Sequence, residues 1–250
     1  MGNIKKDFKV FKIPLLIVLL YGILVMATGM LIRFLGVKTE IYATLLSLIL
    51  NFIICGIIWL INKKYIGVSI GFKIEFTFFK RHKITAVIVA IVTLLTAVIN
   101  IKNLPLAILI SLQAGIVEEV VCRGIVSKYI YNHLLIINKS KRIWISAITS
   151  GTFFGLLHFI NLTRQELLPT ISQVIVASGL GMLFAVIYLL YKNLFAVIIV
   201  HFLNDFLIIA NTGTANQEAQ SLVATVVTTL IYMLVIWFVS KMIINKKLNC

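Results

Sequence analysis

Long runs of apolar residues, separated by short polar stretches, dominate this sequence. A helix rises about 1.5 Å per residue, so about 20 apolar residues are enough to cross the hydrocarbon core of a bilayer. Eight runs approach that length: Ile13–Phe34, Ile41–Ile61, Ile84–Ile101, Leu104–Ile137, Ile143–Ile160, Ile171–Tyr191, Leu194–Ala210 and Leu222–Ser240. The pattern predicts an all-α integral membrane protein, in which about eight transmembrane helices form one polytopic domain over residues 1–250.

Two polar stretches qualify this picture. The fourth run is too long for a single crossing, and its amphipathic end, Lys128–His133, is expected to emerge at the cytoplasmic interface. Residues 62–81 mix Phe and Ile with Lys and Gly. We interpret them as an interfacial connector between the second and third runs.

Composition and charge placement support the membrane assignment. Hydrophobic residues make up 61% of the chain and charged residues only 12%, whereas about 25% of the residues in soluble domains are charged. If both termini are cytoplasmic, 17 Lys and Arg residues lie in inside segments, and only Lys38, Lys102 and Arg164 lie in outside loops. This bias predicts eight spans with both termini inside. The net charge of +15 is therefore assigned to topology and to contact with lipid headgroups, and no nucleic-acid partner is predicted.

A small set of ionisable residues falls inside the apolar runs. Burial of such groups in hydrocarbon costs several kcal/mol each, so they are expected to face the interior of the bundle or a wet cavity, where they usually serve function. They come from three runs of the chain: Glu118, Glu119, Arg123, His158, His201 and Asp205.

The spacing of these residues predicts which of them meet. Glu119 and Arg123 are i,i+4 neighbours, the spacing of a carboxylate–guanidinium pair on one helix face. Glu118 precedes Asn138 by 20 residues and His158 follows it by 20, so an antiparallel hairpin places Glu118 and His158 at matching height. His201 fits less well, since the turn near residue 192 places it nearer the cytoplasmic face. We expect helix tilt or a wide loop around residue 169 to make up the difference.

Three motifs, taken in chain order, resemble those of a known family. Residues 118–123 read EEVVCR and match EExxxR, residues 154–158 read FGLLH and match FxxxH, and residues 201–205 read HFLND and match HxxxN/D. The chain is thus similar to the CPBP family of CAAX proteases and bacteriocin-processing enzymes, also called the Abi family, which includes the type II CAAX prenyl endopeptidases. The resemblance covers a catalytic core at about residues 104–210. It implies an eight-helix membrane bundle.

The resemblance also implies an intramembrane endopeptidase that cleaves peptide or protein substrates. Glu118 would act as general base on a water, and His158 would orient or share the proton. His201 and Asp205 would stabilise the oxyanion or, together with His158 and Glu118, ligate a divalent metal such as zinc. Position 205 holds Asp where many members carry Asn, which slightly favours the metal. Both the metalloprotease and the glutamate mechanism stay open.

Structural alternatives exist for each group. Glu118 would be a second structural carboxylate, and His158 a hydrogen-bonded core histidine, although its register with Glu118 argues against that. Glu119 and Arg123 are best interpreted as a structural ion pair, with Phe154 as a further support of the site. His201 and Asp205 would, on the alternative view, be an isolated polar pair that packs two helices. Cys122 is interpreted as a small packing residue, because an apolar surrounding disfavours a thiolate nucleophile.

Two other functions are considered. One is a non-catalytic protein of the same fold, such as a bacteriocin self-immunity or peptide-binding protein, although no motif residue is lost. The other is a proton-coupled transporter, which the absence of repeated halves and of helices broken by Gly or Pro makes less favourable. The usage of 18 Lys against five Arg hints at an AT-rich bacterial genome. We therefore expect a multi-pass protein of a bacterial plasma membrane, with membrane lipids and an unprenylated substrate as partners.

Overall fold

A computed structural model describes residues 4–74, 76, 79–80, 82–215 and 222–248, with side chains from 10 to 246 within those ranges. Arg81, counted above among the cytoplasmic cations, lies outside them. Over the described residues the structure is helical and has no strand. The all-α prediction is confirmed, whereas the sidedness of the termini stays a prediction.

The described residues contain nine α-helices, of which the fourth and fifth are joined by π-helical stretches. They are α1 (Ile4–Phe34), α2 (Glu40–Ile61), α3 (Lys83–Ile99), α4 (Leu104–Gln113), α5 (Lys128–His133), α6 (Lys139–Leu157), α7 (Leu167–Tyr191), α8 (Leu194–Thr212) and α9 (Leu222–Leu248). Among the described residues, seven helical segments are long and apolar enough to cross a membrane, and α3 is a shorter apolar helix. The chain is a multi-pass integral membrane protein.

The predicted fourth run forms one continuous but irregular helix. Two π-helical stretches, Ala114–Glu118 and Val120–Ser127, join α4 to α5. π-helical hydrogen bonds run from i to i+5 and are rare, occurring frequently at functional sites. Here they include or flank every residue of the EExxxR motif. The angular offset between neighbouring side chains that a regular α-helix would give therefore does not apply to this segment.

Most predicted boundaries differ from the observed ones by a few residues, and two differences concern the site. The α-helical part of the fifth run ends at Leu157, so His158 opens a 3₁₀ stretch that continues to Thr163. The wide loop expected around residue 169 is wrong, because Pro169 lies in the first turn of α7. Proline is tolerated there, since the first N–H groups of a helix have no intrahelical partner.

Helices α6 and α7 pack closely because glycines on α6 leave room for the neighbouring backbone. Gly151 and Gly155 form a GxxxG spacing, the small-residue pattern that lets membrane helices approach each other. A Cβ on Gly151 would lie 2.5 Å from the carbonyl oxygen of Ser178 on α7, and one on Gly155 would overlap the Ser178 hydroxyl. This contact fixes the end of α6, where His158 begins the 3₁₀ stretch.

A second close approach brings the EExxxR segment against α8. A Cβ on Gly115 would lie 3.1 Å from the Ile198 carbonyl oxygen and 3.2 Å from the Cβ of Phe202. His201 lies between these two contacts in sequence. The peripheral helices α3 and α9 instead leave most of their large apolar side chains exposed, as expected of surfaces that face lipid.

Candidate active site

The centre of the bundle holds a chain of ionic contacts between two helical segments. Arg123 Nη1 lies 2.7 Å from Glu119 Oε1, and both side chains are fully buried. The same carboxylate oxygen lies 2.7 Å from His201 Nδ1. An ionised carboxylate paired with a guanidinium can only accept hydrogen bonds. His201 Nδ1 therefore carries a hydrogen and donates a hydrogen bond to Glu119. The imidazole is thereby held in one orientation.

Aromatic rings enclose this buried pair. The guanidinium carbon of Arg123 lies 4.2 Å from the ring centroid of Phe154 and 5.4 Å from that of Phe184. The two rings also contact the imidazole of His201, at centroid distances of 5.8 Å and 5.3 Å. Such faces stabilise a cation that has left water. The predicted supporting role of Phe154 has a physical basis in these contacts.

The other nitrogen of His201 faces the more open half of the site. Nε2 lies 3.4 Å from Asp205 Oδ2 and 3.9 Å from Glu118 Oε2. The Glu118 and Asp205 side chains keep 24% and 23% of their surface exposed, against zero for Glu119 and Arg123. The Asn204 amide donates to Asp205 Oδ1 at 2.9 Å. Within the described residues, no hydrogen bond holds the Glu118 carboxylate.

His158 lies beside this group without joining its contacts. Its Nδ1 lies 3.1 Å from the Phe154 carbonyl oxygen, and its ring packs edge-on against Phe154 at 4.9 Å. The charged groups that act on it electrostatically include Asp205 and His201. No hydrogen bond or ion pair joins His158 to Glu118 in the described part of the chain. His158 is instead within electrostatic reach of Asp205 and His201.

Sequence reasoning missed three features of this site. The hydrogen bond between Glu119 and His201 joins residues that are 82 positions apart, and no local sequence pattern predicts it. Phe184 belongs to no motif, although it touches both Arg123 and His201. Tyr21 of α1 is buried within electrostatic reach of Glu118. A polar aromatic in the middle of an apolar run was the available signal for Tyr21.

The proposed zinc ligands can be compared with this geometry. Zinc ligands surround one point at about 2.0–2.3 Å each. Among the described residues, no three or more His, Cys, Asp and Glu side chains form a group that could hold a metal ion. His201 could ligate a metal only through Nε2, because its Nδ1 is bonded to Glu119, an arrangement that is common behind metal-ligating histidines. As placed, the described side chains do not surround one point at such distances, and a zinc site stays a prediction.

One comparison with known proteins identifies the motif-bearing part of the chain. Residues 100–207 match the model of a family described as Rce1-like, the type II CAAX prenyl endopeptidases. The family resemblance is confirmed for this segment. No curated protein matches the chain, and no solved structure does. The Rce1-like segment contains all six ionisable residues of the cluster, and the match supports a membrane-embedded protease in general terms.

Proposed function

We propose that this protein is a glutamate-type intramembrane endopeptidase in which Glu118 is the general base. The observation that carries the proposal is the difference in burial and pairing between two adjacent glutamates, Glu118 and Glu119. Glu119 is fully buried and forms ion pairs with Arg123 and His201. Glu118 is partly exposed, and its carboxylate lies 3.9 Å from His201 Nε2. A general base has to be accessible to water and free to accept a proton.

The reaction follows from these positions. Glu118 removes a proton from a water, and the water oxygen forms a bond to the carbonyl carbon of the scissile peptide. The developing oxyanion accepts a hydrogen bond from His201 Nε2–H, which donates while the imidazole is an imidazolium. Glu119 and Asp205 favour that charged form. The carbon–nitrogen bond then breaks, and Glu118 returns its proton to the leaving amine.

His158 and Asp205 have positioning roles in this scheme. Asp205 orients His201 from the same helix, at i,i+4, and is itself held by the Asn204 amide. His158 is half-buried, with one ring nitrogen directed to the Phe154 carbonyl oxygen. Its remaining nitrogen is available to hold the attacking water or the substrate carbonyl. We expect a peptide or protein substrate without a prenyl group, cleaved at the cytoplasmic side of a bacterial plasma membrane.

The test is cleavage of a fluorogenic peptide library by purified protein in lipid nanodiscs. We expect Glu118→Gln to lower the cleavage rate by about 10²- to 10⁴-fold, the usual contribution of a general base. Glu166→Gln is the matched control, because Glu166 is exposed and lies outside the cluster. Cleavage that is unchanged in Glu118→Gln would overturn the role of Glu118 as general base, whereas no cleavage by wild type would leave a binding or immunity role.

Metal dependence is measured on the same preparations. The proposed mechanism predicts cleavage that survives exhaustive chelation, with no stoichiometric zinc in the purified protein. Zinc that is bound stoichiometrically, lost in His201→Ala and required for cleavage would replace this mechanism with the metalloprotease alternative.

A further inference from the structure

A second polar pocket lies at the end of the bundle beyond the candidate active site. Its volume is about 400 Å³, and it is lined by Ser69, Gly71, Lys73, Lys128, Tyr188, Tyr191 and Lys192. No residue that lines the pocket belongs to the ionisable cluster of the candidate active site. The pocket is therefore separate from the peptidase site.

The backbone around this pocket is fixed by specific contacts. The Gly71 amide donates to the Tyr188 hydroxyl at 3.0 Å, and the Leu194 amide donates to the Gly71 carbonyl oxygen at 2.9 Å. Lys192 caps the end of α7 in the left-handed region, with φ of 55°. A Cβ on Gly71 would lie only 2.8 Å from the Lys192 carbonyl oxygen. These contacts of Gly71 hold the connector after α2 against the turn between α7 and α8.

Among the described residues, the charged side chains that line the pocket are all cations. Lys192 and Arg142 are the charged groups that act on the half-buried Lys128, and both are cations. Arg142 is held nearby, because its Nη2 donates to the Tyr131 carbonyl oxygen at 2.6 Å. None of the pocket-lining residues in the described part of the chain is acidic. Within the described residues, no carboxylate is paired with Lys128, Lys192 or Arg142, so these cations repel one another, and a bound anion removes that repulsion.

The surroundings select the kind of anion. Lysines act as point charges toward phosphate, and basic pockets between transmembrane helices on the cytoplasmic side bind phosphorylated headgroups. The Ser69 hydroxyl adds a neutral donor at the pocket wall. We propose that the pocket formed by Lys128, Lys192 and the connector at Ser69–Gly71 binds the phosphate of an anionic phospholipid headgroup.

The experiment measures lipid binding to delipidated protein by native mass spectrometry. The probes are dioleoylphosphatidylglycerol, dioleoylphosphatidylcholine with the same acyl chains, and free glycerol 1-phosphate. The variant Lys128→Gln/Lys192→Gln is compared with Lys63→Gln/Lys64→Gln. The control removes the same charge from exposed lysines near the end of α2, where they contact Trp59 and Tyr65. Equal melting temperatures without lipid establish that both variants are folded.

We expect wild type to prefer phosphatidylglycerol over phosphatidylcholine at least tenfold. We expect Lys128→Gln/Lys192→Gln to lose that preference, while the control variant keeps it. If Lys128→Gln alone behaves like the double variant, the proposal is also supported. No preference in wild type, or equal losses in both double variants, would overturn it. Glycerol 1-phosphate that binds as tightly as the lipid would reassign the pocket to a soluble phosphate.

Discussion

The two halves of the candidate site differ in how deeply their charged groups are buried and in how close their ion pairs are. In the closed half, Arg123, Glu119 and His201 Nδ1 meet at 2.7 Å and are shielded by Phe154 and Phe184. In the open half, Glu118 and Asp205 face His201 Nε2 at 3.9 Å and 3.4 Å and keep about a quarter of their surface. His201 belongs to both halves.

This difference in burial and pairing explains why the neighbouring residues Glu118 and Glu119 are expected to have different roles. A buried charge without its partner is strongly destabilising, so the closed half has to be complete for the bundle to form. A reacting group cannot be engaged in the same way, because it has to exchange protons with water and substrate. We therefore expect substitutions in the closed half to change stability first, and substitutions in the open half to change the rate.

The largest stability effect is expected at Arg123. Arg123→Met removes the guanidinium but keeps a long side chain, and it leaves the Glu119 carboxylate buried without its cation. The free energy of unfolding should fall by about 3–5 kcal/mol. The measurement is denaturant unfolding in mixed micelles, with exposed Arg33→Met as control. A loss below 1 kcal/mol would show that the closed half is not structural.

A smaller loss is expected where α6 meets α7. Gly155→Ala places a methyl group against Ser178, and such overpacking costs about 1–3 kcal/mol. Gly56→Ala is the control, because no atom lies within 4 Å of its Cβ position. Thermal unfolding followed by tryptophan fluorescence compares the two variants. Equal stability of Gly155→Ala and Gly56→Ala would mean that the close approach does not hold the His158 end of α6 in place.

The open half should respond in rate rather than stability. Asp205→Asn keeps the shape and an acceptor oxygen but removes the negative charge beside His201 Nε2. We expect kcat to fall about 10-fold, which corresponds to ~1.4 kcal/mol, with unchanged melting temperature. Steady-state cleavage with a peptide substrate measures this. An unchanged or higher kcat would show that position 205 acts as a neutral donor and not as an anion.

The smallest effect is expected at Phe184, which contacts both halves through Arg123 and His201. Phe184→Leu keeps the apolar volume approximately but removes the aromatic face, worth about 0.5–2 kcal/mol in stability. Leu189→Met, a volume-conserving change elsewhere on α7, serves as control. If both variants lose the same stability in thermal unfolding, packing alone explains the position of Phe184.

The sequence alone determined the fold class and the approximate spans, and it predicted which ionisable residues lie together in the candidate site. Solvation explains this success. Helices that cross a bilayer have to be long and apolar, so they are visible in the sequence. Ionisable residues such as Glu118 and His201 are costly in hydrocarbon, so their presence in an apolar run indicates that they face the interior of the bundle. The pair formed by Glu119 and Arg123 was also readable, since i,i+4 spacing is a local property of the chain.

Only the tertiary structure decided how those residues are arranged. It placed His201 against Glu119, although counting along the helices had placed it too near one face. The reason is the close packing of α8 at Gly115 and the π-helical stretches that carry the EExxxR motif. Contacts such as Phe184 with His201, and the cationic pocket at Lys128 and Lys192, join residues far apart in sequence. Packing between distant segments determines these contacts, and the local periodicity of the sequence does not predict them.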